Sequence, residues 1–128
     1  MPQFNEVVAV YGTLRDGFSN NKRTGLDTQE SLGLDTTLPE YELWCNSCFP
    51  KMFKGGNLPV VMEVFNVTSK DVFKELDALE GHRDGVKSGY HREKIVLTSG
   101  RTAWTYIYYS DNKFGTQLFQ GDWKKHIL

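Results

Sequence analysis

Apolar residues run unbroken from Val7 to Tyr11, and such a run, rich in β-branched side chains, suits a strand buried on both faces. Gly12 closes the run. The polar stretch RDGFSNNKRTG that follows reads as loop or short helix, with Ser19, Asn20 and Asn21 as candidate N-caps. Between Gln29 and Leu58 the pattern changes to short extended segments, ESLGLDTTL and YELWCNSCF, separated by Pro39 and Pro50 and ended by Gly55-Gly56. LPVVMEVFNV is a clearer strand, and SKDVFKELDALE after it carries its apolar residues at helical spacing. YHREKIVLT and TAWTYIYY then read as a hairpin turning at Ser99-Gly100. One helix among five or six strands excludes a doubly wound architecture. It predicts an α+β fold: a small mixed sheet, curled or closed into a β-barrel, with one main flanking helix.

The helix is the segment with the sharpest limits. Thr68 followed by Asp71 resembles a capping box, and Gly81 sits where a left-handed C-terminal cap would end the helix. Projected at about 100° per residue, Val72, Phe73, Leu76 and Leu79 gather on one side, with Lys70, Lys74, Asp77 and Ala78 over much of the other. Glu80 falls inside the apolar stripe, four residues after Leu76, so its carboxylate is directed toward the sheet. Desolvation and the negative end of the helix dipole both favour the protonated form, and a carboxyl tuned toward neutral pH can take up and return a proton within one catalytic cycle. The competing reading is structural: Glu80 at the rim of the stripe, or paired with Arg83 or Arg92.

The second candidate is the turn Tyr11-Gly12-Thr13-Leu14-Arg15. Loop amides after a buried strand can hold a carboxylate, Gly12 permits close approach, Thr13 adds a donor and Arg15 would steer an anion. A tight turn with Tyr11 as a core aromatic explains the same five residues equally well.

Composition narrows the field without choosing between these. The chain has 128 residues, enough for one domain spanning 1–128 with a core that needs neither disulfide nor metal. Fifteen Lys and Arg against sixteen Asp and Glu give no footprint for nucleic acid or an anionic membrane surface. No apolar run approaches the roughly 20 residues of a membrane-spanning helix, and the N-terminus lacks the marks of a secretory signal, so a cytoplasmic protein is expected. Cys45 and Cys48 form a lone C-x-x-C. His82, His91 and His126 are scattered without paired ligand spacing, so the two cysteines read as reduced structural thiols and no metal site is expected. There is no G-x-S-x-G elbow, P-loop, G-x-G-x-x-G or H-E-x-x-H, which leaves only simple chemistry.

Taken together, VVAVYGTLR, MEVFNV, LDALEG and Tyr90-His91-Arg92, in that order and spacing, resemble the γ-glutamylcyclotransferase-like superfamily, of the γ-glutamylamine cyclotransferase or AIG2-like type, over roughly residues 7 to 109. The resemblance implies a small mixed α+β barrel that uses no metal or organic cofactor and acts on a small γ-glutamyl substrate. It implies Glu80 as the acid/base and Tyr11, Gly12, Thr13 and Leu14 as the loop that binds the α-amino-acid end. It also implies Tyr90 as a pocket-lining residue. The implied reaction releases pyroglutamate (5-oxoproline) and an amine or amino acid. A non-catalytic binding domain on the same fold and an enzyme removing a γ-glutamyl protecting group are the alternatives, and oligomeric state is left open. Two positions depart from the family pattern. Met62 stands where glycine is common and would narrow the cavity if it pointed inward; the stretch HRDGVKSG is longer than usual and would displace Tyr90.

Overall fold

The computed structural model describes residues 4–46 and 49–127, without the side chains of Asn46, His126 and Ile127. In chain order the elements are β1 (Glu6–Val10), α1 (Ser19–Arg23), a 3-10 turn (Leu26–Thr28), β2 (Glu30–Thr36), β3 (Tyr41–Asn46), β4 (Phe49–Lys54), β5 (Val61–Val67), α2 (Lys70–Glu80), β6 (Gly89–Val96), β7 (Thr102–Tyr109), β8 (Thr116–Leu118) and α3 (Trp123–Ile127). Among the described residues, then, there are more strands and helices than the sequence pattern predicts. The added strands are β4, six residues that include Pro50, and β8, three residues; α1 and α3 have five each, too few to show a period.

The fold is α+β. One sheet runs β2-β5-β1-β7-β6 and a second β4-β3-β8. All pairs are antiparallel except β1 and β7, which are parallel and share one registered pair, Val8 with Trp104. The larger sheet curls until its edge strands meet at one end, where Thr37 bridges Leu97 and the Thr98 N–H donates to the Thr36 carbonyl at 2.8 Å. Closure is this single bridge and not a continuous ladder.

Strand β1 is central, as its composition predicts. Ala9 and Tyr11 face an inner core with Leu43, Met52, Met62, Val64 and Ile107, while Val8 and Val10 face an outer core with Phe65, Val67, Val72 and Leu76 of α2. Each such side chain contributes about 1.5–3 kcal/mol when fully buried, and that burial anchors α2 on the sheet. Met62 is fully buried in the inner core.

Three local expectations are corrected. Ser69, not Thr68, caps α2, its Oγ accepting the Val72 N–H at 3.2 Å; Thr68 is instead claimed by Gln29, whose Oε1 accepts its N–H at 2.8 Å. Neither Ser19, Asn20 nor Asn21 caps α1, whose N-cap is Phe18 without a side-chain bond. Pro50 does not separate strands but lies within β4, an edge strand, where its missing N–H costs no ladder bond. The other end of α2 and the hairpin stand as predicted. Gly81 is left-handed at φ 72°, and the Gly81 and His82 N–H groups donate to Ala78 and Asp77. Leu97 and Arg101 flank the Ser99-Gly100 turn. Cys45 is a half-buried thiol in β3, and Cys48 lies outside the described residues.

Candidate active site

Parallel strands β1 and β7 part beyond Val8 and Trp104, and between their carboxyl ends lies a cavity of about 560 Å³. A cleft at this place is common in open sheets, because diverging strand ends leave backbone groups without lateral partners. The loop after β1 forms one wall. The last turn of α2 supplies Glu80, the start of β6 supplies Tyr90, and β4 closes the side with Phe49, Pro50 and Lys51.

The loop is held from within. Its turn is closed by the Arg15 N–H donating to the Gly12 carbonyl at 3.0 Å. Asn20 donates from Nδ2 to Thr13 Oγ1 at 2.9 Å, and Asn21 donates from Nδ2 to the Leu14 carbonyl at 2.8 Å. The side chains expected to cap α1 thus brace the preceding turn. Among the described residues, the N–H groups of Gly12, Thr13 and Leu14 have no acceptor, which leaves donors in the cavity wall. Gly12 permits a close approach, but by protein: a Cβ there would stand 2.5 Å from Cγ of Pro50. Leu14 is buried in the outer core.

Glu80 is half-buried in the opposite wall and has no ion-pair partner among the described residues. Burial alone pushes its carboxyl from 4.5 up to about 7. The arginine pairing considered from sequence is absent because Arg92 is engaged elsewhere: its Nε donates to Asp77 Oδ1 at 2.9 Å, and its guanidinium lies over the Phe73 and Trp104 rings. Asp77 therefore does not face solvent on the polar side of α2. It also accepts the Tyr106 hydroxyl at 2.7 Å.

The tyrosines are struts. The Tyr11 hydroxyl donates to the Tyr106 carbonyl at 2.6 Å and accepts the Met52 N–H at 3.3 Å, tying β1, β7 and β4 together. Tyr90 donates to the Pro50 carbonyl at 2.8 Å and lines the cavity, so the long 82–88 stretch does not displace it. Burial raises both phenols above their ordinary values, with the Glu80 charge adding to the rise, and both stay neutral donors. Met62 does not line the cavity.

Arg15 does not reach the cavity. It is 3% exposed, its Nε 3.2 Å from Glu63 Oε1 and one terminal nitrogen 2.6 Å from Asp122 Oδ1. Glu63 lies opposite Val10 in the ladder and is buried, so it draws the nearby guanidinium inward. Sequence reasoning missed Asn20, Lys51, Thr105, Tyr106 and Tyr108 as cavity residues. Asn20 carried a detectable signal, a polar side chain just after the turn. The strand residues carried none, since alternation assigns a face but not a cavity. No group of three or more potential metal-ligating side chains occurs among the described residues. The cavity therefore offers amides, hydroxyls, one carboxylate and one ammonium, a set fit for holding a small polar molecule and moving a proton.

A family model described as gamma-glutamyl cyclotransferase, AIG2-like, matches residues 8–125. A Vibrio cholerae protein is 36% identical over 121 residues, covering 94% of this chain and 97% of its own; one from Methanocaldococcus jannaschii is 32% identical over 125 residues, covering 94% and 98%. Both carry the provisional name gamma-glutamylcyclotransferase. Among solved structures, an uncharacterised Pyrococcus horikoshii protein superposes with TM-score 0.75 at 24% identity, covering 95% of this chain and 92% of its own. A mouse AIG2-like protein superposes with TM-score 0.72 at 18% identity, covering 92% and 88%. These last two likenesses are of fold.

Proposed function

The chain belongs to the gamma-glutamyl cyclotransferase, AIG2-like family, and from that premise we propose that it converts a γ-glutamyl amide into pyroglutamate and a free amine or amino acid, with Glu80 as proton carrier. The observation that carries this reading is the pairing across one cavity of a counterion-free carboxylate with the unsatisfied amides of the Gly12–Leu14 turn.

The reaction needs no protein nucleophile. The substrate's α-nitrogen attacks its own γ-carbonyl carbon, a lactam C–N bond forms, and the C–N bond to the leaving group breaks; holding both ends of one molecule in a bent conformation supplies the rate advantage of an intramolecular step. The α-ammonium gives up two protons, one before attack and one as the lactam nitrogen forms. Glu80 carries them to the departing nitrogen, which leaves as an ammonium, so atoms and charge balance without water. A carboxyl near 7 accepts and returns a proton with little loss in either direction. Amides of the turn, braced by Asn20 and Asn21, hold the α-carboxylate, and Thr13 contributes its hydroxyl. Tyr11 and Tyr90 shape the walls between them, their own hydroxyls spent on backbone carbonyls.

The test is pyroglutamate release from a panel of γ-glutamyl amines and dipeptides, with Glu80→Gln beside the wild type. Loss of general acid/base function costs at least ~100-fold in kcat. The variant still melts cooperatively from a folded state, because Glu80 makes no ion pair among the described residues. An equal rate in the two proteins rejects the assignment, and an inert wild type across the panel rejects the activity.

A further inference from the structure

Among the described residues, Lys51 is the single cation in the cavity wall, as Glu80 is the single carboxylate there. It follows Pro50, whose carbonyl receives the Tyr90 hydroxyl and whose ring abuts Gly12, so its backbone is fixed between the tyrosine wall and the turn. The Lys51 Nζ stands 4.8 Å from the centroid of the Tyr108 ring, and that ring packs edge-on against Tyr90. Three lysines have acidic partners among the described residues, Lys54 with Glu93 at 2.9 Å, Lys113 with Glu42 at 2.8 Å and Lys124 with Glu63 at 3.7 Å. Lys22, Lys70, Lys74, Lys87, Lys94 and Lys125 lack one but are exposed, whereas Lys51 is half-buried and lacks an acidic partner too. An ammonium over an aromatic face at a cavity wall, without a carboxylate of its own, is a site for an anion supplied from outside.

Which anion follows from what the rest of the cavity already serves. Under the proposed cyclotransferase reaction, on which this inference rests, the substrate's α-carboxylate is met by the amides of the turn, so a second anionic group has to lie beyond the scissile amide. We infer that Lys51 receives a carboxylate on the leaving group, and that the preferred substrates are γ-glutamyl amino acids and not γ-glutamyl alkylamines or polyamines. The same ammonium repels a leaving group with a second positive charge, so attraction and rejection come from one residue.

γ-Glutamyl-L-alanine and γ-glutamyl-ethylamine differ only in that carboxylate and isolate its effect. The wild type favours the alanine compound at least ~10-fold in kcat/KM, the value of about 1.4 kcal/mol for a partly desolvated ion pair. Lys51→Met lowers the alanine compound's kcat/KM at least fivefold more than the ethylamine compound's, chiefly through KM. Lys51→Arg keeps the preference, and Lys51→Glu inverts it. A preference that survives in Lys51→Met, or an equal loss on both compounds, overturns the inference, the second result moving Lys51 to the α-carboxylate. Turnover of either compound by the wild type preserves the cyclotransferase reading whatever the ratio. No turnover of any γ-glutamyl compound removes that reading and this inference together. Should Lys51→Met lower the melting temperature, the ratios of the Arg and Glu variants decide.

Discussion

Two glutamates near the turn after β1 meet opposite surroundings. Glu63, on β5, is 9% exposed and receives the Arg15 guanidinium, the Asp16 N–H at 2.8 Å and the more distant Lys124 ammonium. Glu80, at the end of α2, faces the cavity with no ion-pair partner among the described residues, and burial raises it to about 7. A carboxylate with three donors on it is a structural tie. One with none is held ready to exchange a proton. The turn lies between them: Arg15 is held under it by Glu63, away from the cavity, while Glu80 across the cavity has no ion-pair partner among the described residues. A guanidinium thus marks the scaffold region around Glu63, and its lack marks the reactive region around Glu80.

Removing that guanidinium breaks the comparison most severely. Arg15→Met takes the guanidinium from buried Glu63 and half-buried Asp122, leaving them only the Asp16 and Lys124 donors, and breaking a buried pair from one side costs up to about 3–5 kcal/mol. Chemical denaturation is expected to show a loss of that size at neutral pH. A variant of native stability with a raised KM would instead make Arg15 a substrate ligand, as its place in the sequence suggested.

The reactive side leaves its own mark on stability. The Glu80 carboxyl moves from 4.5 in the unfolded chain to about 7 in the native state, so between those values the folded protein binds more protons and loses stability as pH rises. Each tenfold shift is worth about 1.4 kcal/mol, and a cavity open to solvent brings the whole to roughly 2–3 kcal/mol. Below about pH 4.5 the wild type and Glu80→Gln should have similar stabilities. Through pH 7 the wild type falls behind, and at pH 8 the glutamine variant is the more stable by that amount. Melting curves across this range provide the check, and a wild type that gains on Glu80→Gln with rising pH would mean that a cation answers the carboxylate.

What the sequence makes legible here follows from how far each determinant reaches. Strand β1, the end of α2 at Gly81 and the direction of Glu80 are written in runs of a dozen residues or fewer, and periodicity recovers them. Arg15 is decided by Glu63 and by Asp122, the latter 107 residues away, and no local pattern records that. Gly12 read as room for a ligand because its neighbour Pro50, 38 positions on, could not be known to fill the space. Asn20 and Asn21 have the chemistry of helix caps and the function of loop braces, a choice settled by the turn they face. Lys51 and Tyr108 become cavity residues only once β4 lies beside β7. The family resemblance names Glu80 and the turn together, and they line one cavity, because motif order carries what periodicity does not. It is silent on Lys51, which lies between the motifs.

A finer test concerns why Glu80 stays without a counterion although Arg92 is on the neighbouring strand. Asp77, one turn earlier on α2, holds Arg92 at 2.9 Å and takes the hydroxyl of Tyr106, a cavity residue, at 2.7 Å. Asp77→Asn preserves the shape and an acceptor for both donors while removing one negative charge from the vicinity of Glu80. Arg92 is not freed to swing away, because its guanidinium remains stacked on Phe73 at 4.6 Å and Trp104 at 4.5 Å. Its positive charge is then no longer cancelled locally, so the loss of that one negative charge favours the ionised form of Glu80. At an effective dielectric between about 20 and 80, a charge roughly 8 Å away is worth about 0.5–2 kcal/mol and moves a carboxyl by about 0.4–1.5 pH units. If Glu80 is the base, the acid limb of the kcat/KM profile moves down by that amount in Asp77→Asn, with the plateau rate little changed. A limb that stays fixed would show that Asp77 and Arg92 cancel too far from the cavity to matter. A limb that moves up would mean that Asp77 had been lowering the Glu80 value, by a route other than its charge.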